Sequence, residues 1–236
     1  DDAVITVNPL QISNYRRRLG PHKRLCVIPN GIELDNFRQA ERERSKLRKQ
    51  LGLAESDLLI VQTGRVFAVK GQHLTLDALL HLNARDLNLK VWFAGLIQRW
   101  GYASRLRKRT KRLPPNISLR LLGGRADIPR LLAAADLFVM PSKHEAHSIS
   151  FLEALATGVP IIASDIAAFQ FARDLDQVYL IDVNDPIHYA KTVERVLQQR
   201  ARADRDTEQF SLAHQAKRYL EVFDSVLQSD RFTKPG

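Results

Sequence analysis

Cysteine is almost missing from this chain: Cys26 stands alone among 236 residues. No internal disulfide can form, so stability has to come from a buried core, and a cytoplasmic location is unopposed. Cys26 lies in the apolar run LCVI, which reads as a buried, inert thiol rather than a nucleophile. Nothing approaches the ~20 consecutive apolar residues of a membrane span, and no signal-peptide pattern opens the chain. Internal repeats and low-complexity segments are also lacking. The absence of a GxGxxG phosphate loop counts against a dinucleotide oxidoreductase. What is present, 44% hydrophobic and 26% charged residues, is the composition of an ordinary globular protein long enough for a sizeable core.

Acidic residues are in deficit. The net charge of +10 calls for an acidic partner: nucleic acid, anionic lipid or a phosphorylated small molecule. The densest basic cluster, RLRKRTKR over Arg105 to Arg112, reads first as a solvated helix face and second as a contact for anionic lipid. Nucleic acid comes last, since no aromatic residues interleave the cations and no recognition motif occurs.

Along the chain, residues 3–7 predict a strand, Pro9 to Leu19 an amphipathic helix, and Arg24 to Ile28 a strand closed by the turn Pro29-Asn30-Gly31. A charged helix is expected from Glu41 to Leu51. From Leu58 short apolar runs alternate with helical patterns, the signature of a doubly wound parallel α/β sheet. Six strands are expected, near 58–63, 89–94, 117–121, 137–140, 160–163 and 178–182. If they follow the Rossmann-like order 3-2-1-4-5-6, the loops after Thr63 and Met140 meet over one crevice. Asn184-Asp185-Pro186 starts a helix over 186–200. Residues 201–207 (ARADRDT) read as a loop, and a last amphipathic helix follows from Phe210 to Leu227.

Chemistry concentrates in those two loops. Residues 137–164 (LFVMPSKHEAHSISFLEALATGVPIIAS) read as strand, loop, helix, turn and strand, with Glu145 on the loop and Glu153 in the helix. Free N–H groups and the dipole at a helix start favour an anion there. Two carboxylates beside an anion make sense only if they face hydroxyl groups, such as those of a sugar and a ribose. The other loop, GRVFAVKG over Gly64 to Gly71, puts Arg65 and Lys70 at a strand end, a planar fork and a point charge suited to a diphosphate. In LGGRADIP, from Leu122 to Pro129, paired glycines allow backbone to approach a flat ligand; a plain strand-to-helix turn accounts for them equally well. Asp127 reads as an N-cap ahead of Pro129.

Pro141-Ser142, two glutamates with seven residues between them, LEALA, the Gly158-x-Pro160 turn and GRxxxxKG together resemble the retaining, nucleotide-sugar-dependent glycosyltransferases of the GT-B fold, family 4 (glycosyl transferases group 1). VIPNGIELDNF, from Val27 to Phe37, resembles the junction between the two domains of those enzymes. The resemblance implies a C-terminal donor domain over residues 31–207, a remnant of a largely absent N-terminal domain and linker over 1–30, and a terminal helix and tail over 208–236. It also implies that Arg65 and Lys70 take the diphosphate of a UDP-sugar, or of a GDP- or ADP-sugar, without a metal. Glu145 is expected on the transferred sugar, Glu153 on the ribose, the Ser148 and Ile149 amides on phosphate, and Gly124 and Arg125 near the base.

Where the family usually has Gly-Phe-Gly, this chain has Ala146-His147-Ser148. His144 and His147 are spaced like metal ligands but lack a third partner. The implied acceptor is a glycan or lipid-linked glycan, with the protein cytoplasmic or peripheral at the inner face of the membrane. Lacking most of its first domain, the chain is expected to bind donor and turn over poorly alone. Rival expectations are a non-catalytic nucleotide-sugar-binding subunit, a glycoside hydrolase with its own carboxylate pair, and a nucleic-acid-binding protein.

Overall fold

A computed structural model of the chain describes residues 3–20, 24–83 and 87–233, with side chains up to 228. Two parallel strands, β1 (Ala3–Thr6) and β2 (Arg24–Val27), form a small sheet of their own, joined through helix α1 (Ile12–Leu19). Two helices follow, α2 (Leu34–Arg42) and α3 (Arg44–Gln50). The single helix expected over 41–51 is therefore broken at Glu43 (φ −96°, ψ 8°) and preceded by another. Leu34, Phe37 and Ala40 recur every three residues on α2 and are buried, so burial of that stripe extends helix upstream of the charged run.

The remaining elements alternate as expected: β3 (Asp57–Thr63), α4 (Gln72–Leu79), β4 (Asn88–Ala94), α5 (Trp100–Thr110), β5 (Ile117–Gly123), α6 (Ile128–Ala134), β6 (Leu137–Met140), α7 (Ile149–Ala156), β7 (Ile161–Ser164), β8 (Val178–Ile181), α8 (Pro186–Gln199) and α9 (Leu212–Thr233). The six strands from β3 onward form one parallel sheet in the order β5-β4-β3-β6-β7-β8, which is 3-2-1-4-5-6 counted within that sheet. The chain reverses its direction of winding between β3 and β6, where Ile60 pairs with Leu137 and Val61 with Phe138.

Alternation along β3 sends Leu59 and Val61 into a core shared with Phe37, Leu132, Phe138 and Phe151. Leu58 and Ile60 face a second core with Leu76, Leu106, Val139 and Tyr189. A strand buried on both faces has to be apolar throughout, which is why LLIV carries no polar interruption before Gln62.

Residues 201–207 have no regular structure, yet they are not a loose end. Arg202 donates to the carbonyls of Ala135 (2.9 Å) and Thr157 (2.7 Å) and pairs with Glu41, while Arg205 reaches the carbonyls of Val159 (3.1 Å) and Asp176 (2.7 Å). Three of these carbonyls, those of Ala135, Thr157 and Val159, lie at or just beyond the ends of α6 and α7, that of Asp176 lies just before β8, and charged donors satisfy them. Burial pulls both guanidinium groups down to about 10.

Candidate active site

The switch point brings the two loops together. The Lys143 amide donates to the Val69 carbonyl at 2.8 Å. Gly71 has φ +70°, and a Cβ there would lie 1.9 Å from the Pro141 carbonyl oxygen, so any other residue would force the loops apart. Two glutamines hold the Arg65–Lys70 loop by its ends: Gln62 Nε2 donates to the Lys70 carbonyl (2.6 Å) and Gln72 Nε2 to the Arg65 carbonyl (3.0 Å). Both glutamines are buried. A cavity of about 540 Å³ lined by Gly71, Pro141, Ser142, Ser164 and Asp182 adjoins the paired loops, and none of Arg65, Lys70, Glu145 or Glu153 lines it.

Lys70 Nζ lies 2.6 Å from Glu145 Oε1, with the side chains only 18% and 9% exposed. The cation and the carboxylate expected to serve different parts of a ligand thus neutralise each other. Removing either partner of an ion pair so shielded would leave the other charge buried and uncompensated. Arg65 is exposed and does not join the pair; Nη1 donates to Gln98 Oε1 at 3.2 Å, in the loop after β4.

Glu153 is half-buried on α7 and has no hydrogen-bond or ion-pair partner among the described residues, so burial alone pushes its carboxyl up. At the start of the same helix Ser148 is the N-cap, its hydroxyl accepting from the Phe151 amide. The Ser148 and Ile149 amides expected to bind phosphate, and that of Ser150, have no intrachain acceptor among the described residues, leaving three donors and the dipole's positive end in the segment that follows Glu145.

In the loop after β5, a Cβ on Gly124 would lie 2.9 Å from Leu96 Cδ2, so Gly124 and Arg65 both abut the loop after β4. Arg125 is exposed and committed to Asp127, through contacts of 2.8 and 2.6 Å that hold the Asp127 carboxyl below its ordinary range. Asp127 occupies the N-cap position of α6 but makes no capping bond, because its carboxylate is taken by Arg125. That corrects the expectation of a simple cap.

His147 takes a role that its spacing from His144 did not suggest. Its Nδ1 accepts from the Asn30 amide (3.2 Å), Asn30 Nδ2 donates to the His147 carbonyl (2.9 Å), and the ring stacks on Phe171 at 5.6 Å. The segment before α2 is thereby tied to the loop bearing Glu145. Desolvation pushes the imidazole down, in keeping with a neutral ring acting as acceptor. Among the described residues no three His, Cys, Asp or Glu side chains come together to hold a metal.

The sequence signals for the missed residues were slight. A glutamine ending an apolar strand marks Gln62, and a histidine where the family has phenylalanine marks His147, but neither names its partner.

Residues 43–211 match the profile of the family described as Glycosyl transferases group 1. Among relatives, an Escherichia coli UDP-Gal:alpha-D-GlcNAc-diphosphoundecaprenol alpha-1,3-galactosyltransferase is 30% identical over 176 residues, covering 73% of this chain and 45% of that protein. A Corynebacterium urealyticum D-inositol 3-phosphate glycosyltransferase is 27% identical over 241 residues, covering 95% of this chain and 57% of its own length. The chain spans about half the length of the curated relatives it matches. Anabaena Alr3699/HepE in complex with UDP superposes with a TM-score of 0.79 at 22% identity, over 95% of this chain and 64% of that one. The sucrose-phosphate synthase of Thermosynechococcus elongatus gives 0.76 at 22%, over 97% and 59%. These likenesses make the fold that of the Rossmann-like C-terminal half of GT-B proteins. With its profile running from α3 through the last sheet strand and across both converging loops, the chain belongs to the glycosyl transferases group 1 family.

Proposed function

We propose that this chain is the donor-binding domain of a retaining glycosyltransferase, binding a nucleoside-diphosphate sugar, most simply a UDP-sugar, for transfer to a hydroxyl of a glycan or lipid-linked glycan. The observation that carries this is the meeting of Lys70 and Glu145 across the β3/β6 switch point, in a segment that goes on to supply free amides at the start of α7 and, on that helix, a partnerless Glu153. Lys70, the exposed Arg65 and the amides of α7 stabilise the charge that grows on the diphosphate as the sugar–oxygen bond breaks. This electrostatic service needs no metal. Bound diphosphate draws on Lys70, and Glu145, already held beside it, receives sugar hydroxyls. Glu153 accepts from the ribose, with Gly124 and the neighbouring backbone along the base; Arg125, turned to Asp127, takes part only if that pair opens.

Residues 1–30 are the remainder of a second domain and its linker, 31–207 the donor domain, and 208–236 the returning helix and tail. The acceptor and the full rate belong with that second domain. A lipid-linked acceptor, like the one in the name of the Escherichia coli relative, suits the basic surface, and with it goes a cytoplasmic protein at the inner membrane face. The test is a thermal-shift panel of UDP-, GDP- and ADP-sugars, since a ligand that binds only the folded state raises the melting temperature. A UDP-sugar shift that Glu153→Ala abolishes supports the assignment. No shift with any nucleotide refutes it.

A further inference from the structure

The net charge is not spread over the molecule. Residues 87–126 hold ten Lys and Arg and no Asp or Glu, and all other residues balance at 26 of each sign. These residues form β4, α5 and the edge strand β5, one side wall of the domain. Helix α5 buries Tyr102, Ala103 and Leu106 and turns Arg105, Arg107 and Lys108 outward, with Lys111 exposed just past its end. None of these four pairs with a carboxylate among the described residues; Arg109 does, with Asp77 at 2.8 Å. At the end of the wall nearest the candidate site, Leu96 and Trp100 are 70% and 69% exposed. Leu96 lies against Gly124, and Gln98 between them holds Arg65.

We propose that this wall docks on an anionic lipid bilayer, with Leu96 and Trp100 inserted at the interface and the α5 cations on the headgroups. Unpaired cations beside two uncovered large apolar side chains suit a charged surface with an apolar interior. A nucleic acid offers no apolar interior for an aliphatic Leu96. The docking deepens the peripheral location proposed above and rests on it only for its purpose: it brings the loops after β4 and β5, which abut Arg65 and carry Gly124, to the membrane from which a lipid-linked acceptor would come.

The test uses the whole chain with phosphatidylglycerol-containing and pure phosphatidylcholine vesicles. Binding is expected only to the anionic vesicles and should weaken as salt rises. Each cation near such a surface is worth about fivefold in partitioning, so Arg107→Gln/Lys108→Gln/Lys111→Gln should bind roughly a hundredfold more weakly. Trp100→Ser should lose about tenfold through lost apolar burial. Trp100 and Trp92 are the only tryptophans, and Trp92 is 3% exposed, so a blue shift of emission on binding reports Trp100. Trp100→Phe should bind and lose the shift. Equal binding to neutral vesicles, an undiminished triple variant, or retention on duplex DNA or RNA without vesicle binding overturns the docking. The UDP-sugar thermal shift, run on the same samples, stands or falls independently of these outcomes.

Discussion

Glu153→Gln separates function from stability, because the structure sets the two in opposition. The carboxylate is half-buried, has no partner among the described residues, and is raised by desolvation alone. At neutral pH the folded protein therefore holds a charge that nothing compensates. Glutamine keeps the shape and removes the charge, so the variant should unfold later, by about 2–4 °C per kcal/mol gained for a chain of this size. A raised carboxyl costs stability at pH above its folded-state value, and the cost disappears below the unfolded value. The gap in melting temperature between variant and parent should therefore close on acidification. Nucleotide binding should move the other way: a hydrogen bond to a charged acceptor is worth about 1.5–3 kcal/mol, or about 10- to 150-fold in Kd for UDP. Calorimetric titration with UDP and thermal melts across pH measure both. A less stable variant with unchanged UDP affinity would refute the reasoning, since the carboxylate would then be held by the fold rather than kept for a ligand.

Lys70→Met should cost about 3 kcal/mol in urea unfolding, because Glu145 at 9% exposure is left unpaired, and adding Glu145→Gln should restore most of it. A second substitution that only deepens the loss would show that the pair is not coupled. Arg202→Met removes the donor to Ala135, Thr157 and Glu41, and should cost about 3 kcal/mol while leaving UDP affinity intact; a matching loss of affinity would contradict a purely structural role. His147→Phe keeps the stack on Phe171 but loses the Asn30 bond, at about 1 kcal/mol. Because the folded imidazole titrates below its ordinary value, the parent loses stability as pH falls through that window, and the variant should not.

The sequence by itself determined the sheet and its switch point. Runs such as LLIV and LFVM, separated by helical patterns and punctuated by Gly71, Gly158 and Pro160, mark six strands of a doubly wound sheet, and the Rossmann-like order entertained for them is the one the sheet adopts. The cations and carboxylates of the two loops were legible for the same reason, since each loop follows directly from the strand that presents it. The tertiary structure alone decided who partners whom. Lys70 and Glu145 are 75 residues apart and His147 and Asn30 are 117 apart; no local pattern pairs them, whereas packing of the loops through Gly71 joins the first pair and the approach of the segment before α2 joins the second. Arg202 and Arg205 sit in a stretch whose polarity reads as solvent-exposed. Only the carbonyls around the ends of α6 and α7, assembled from distant segments, turn that stretch into a buried clamp. Hydrophobic period is written in contiguous residues, whereas the worth of a charge depends on what the fold places beside it.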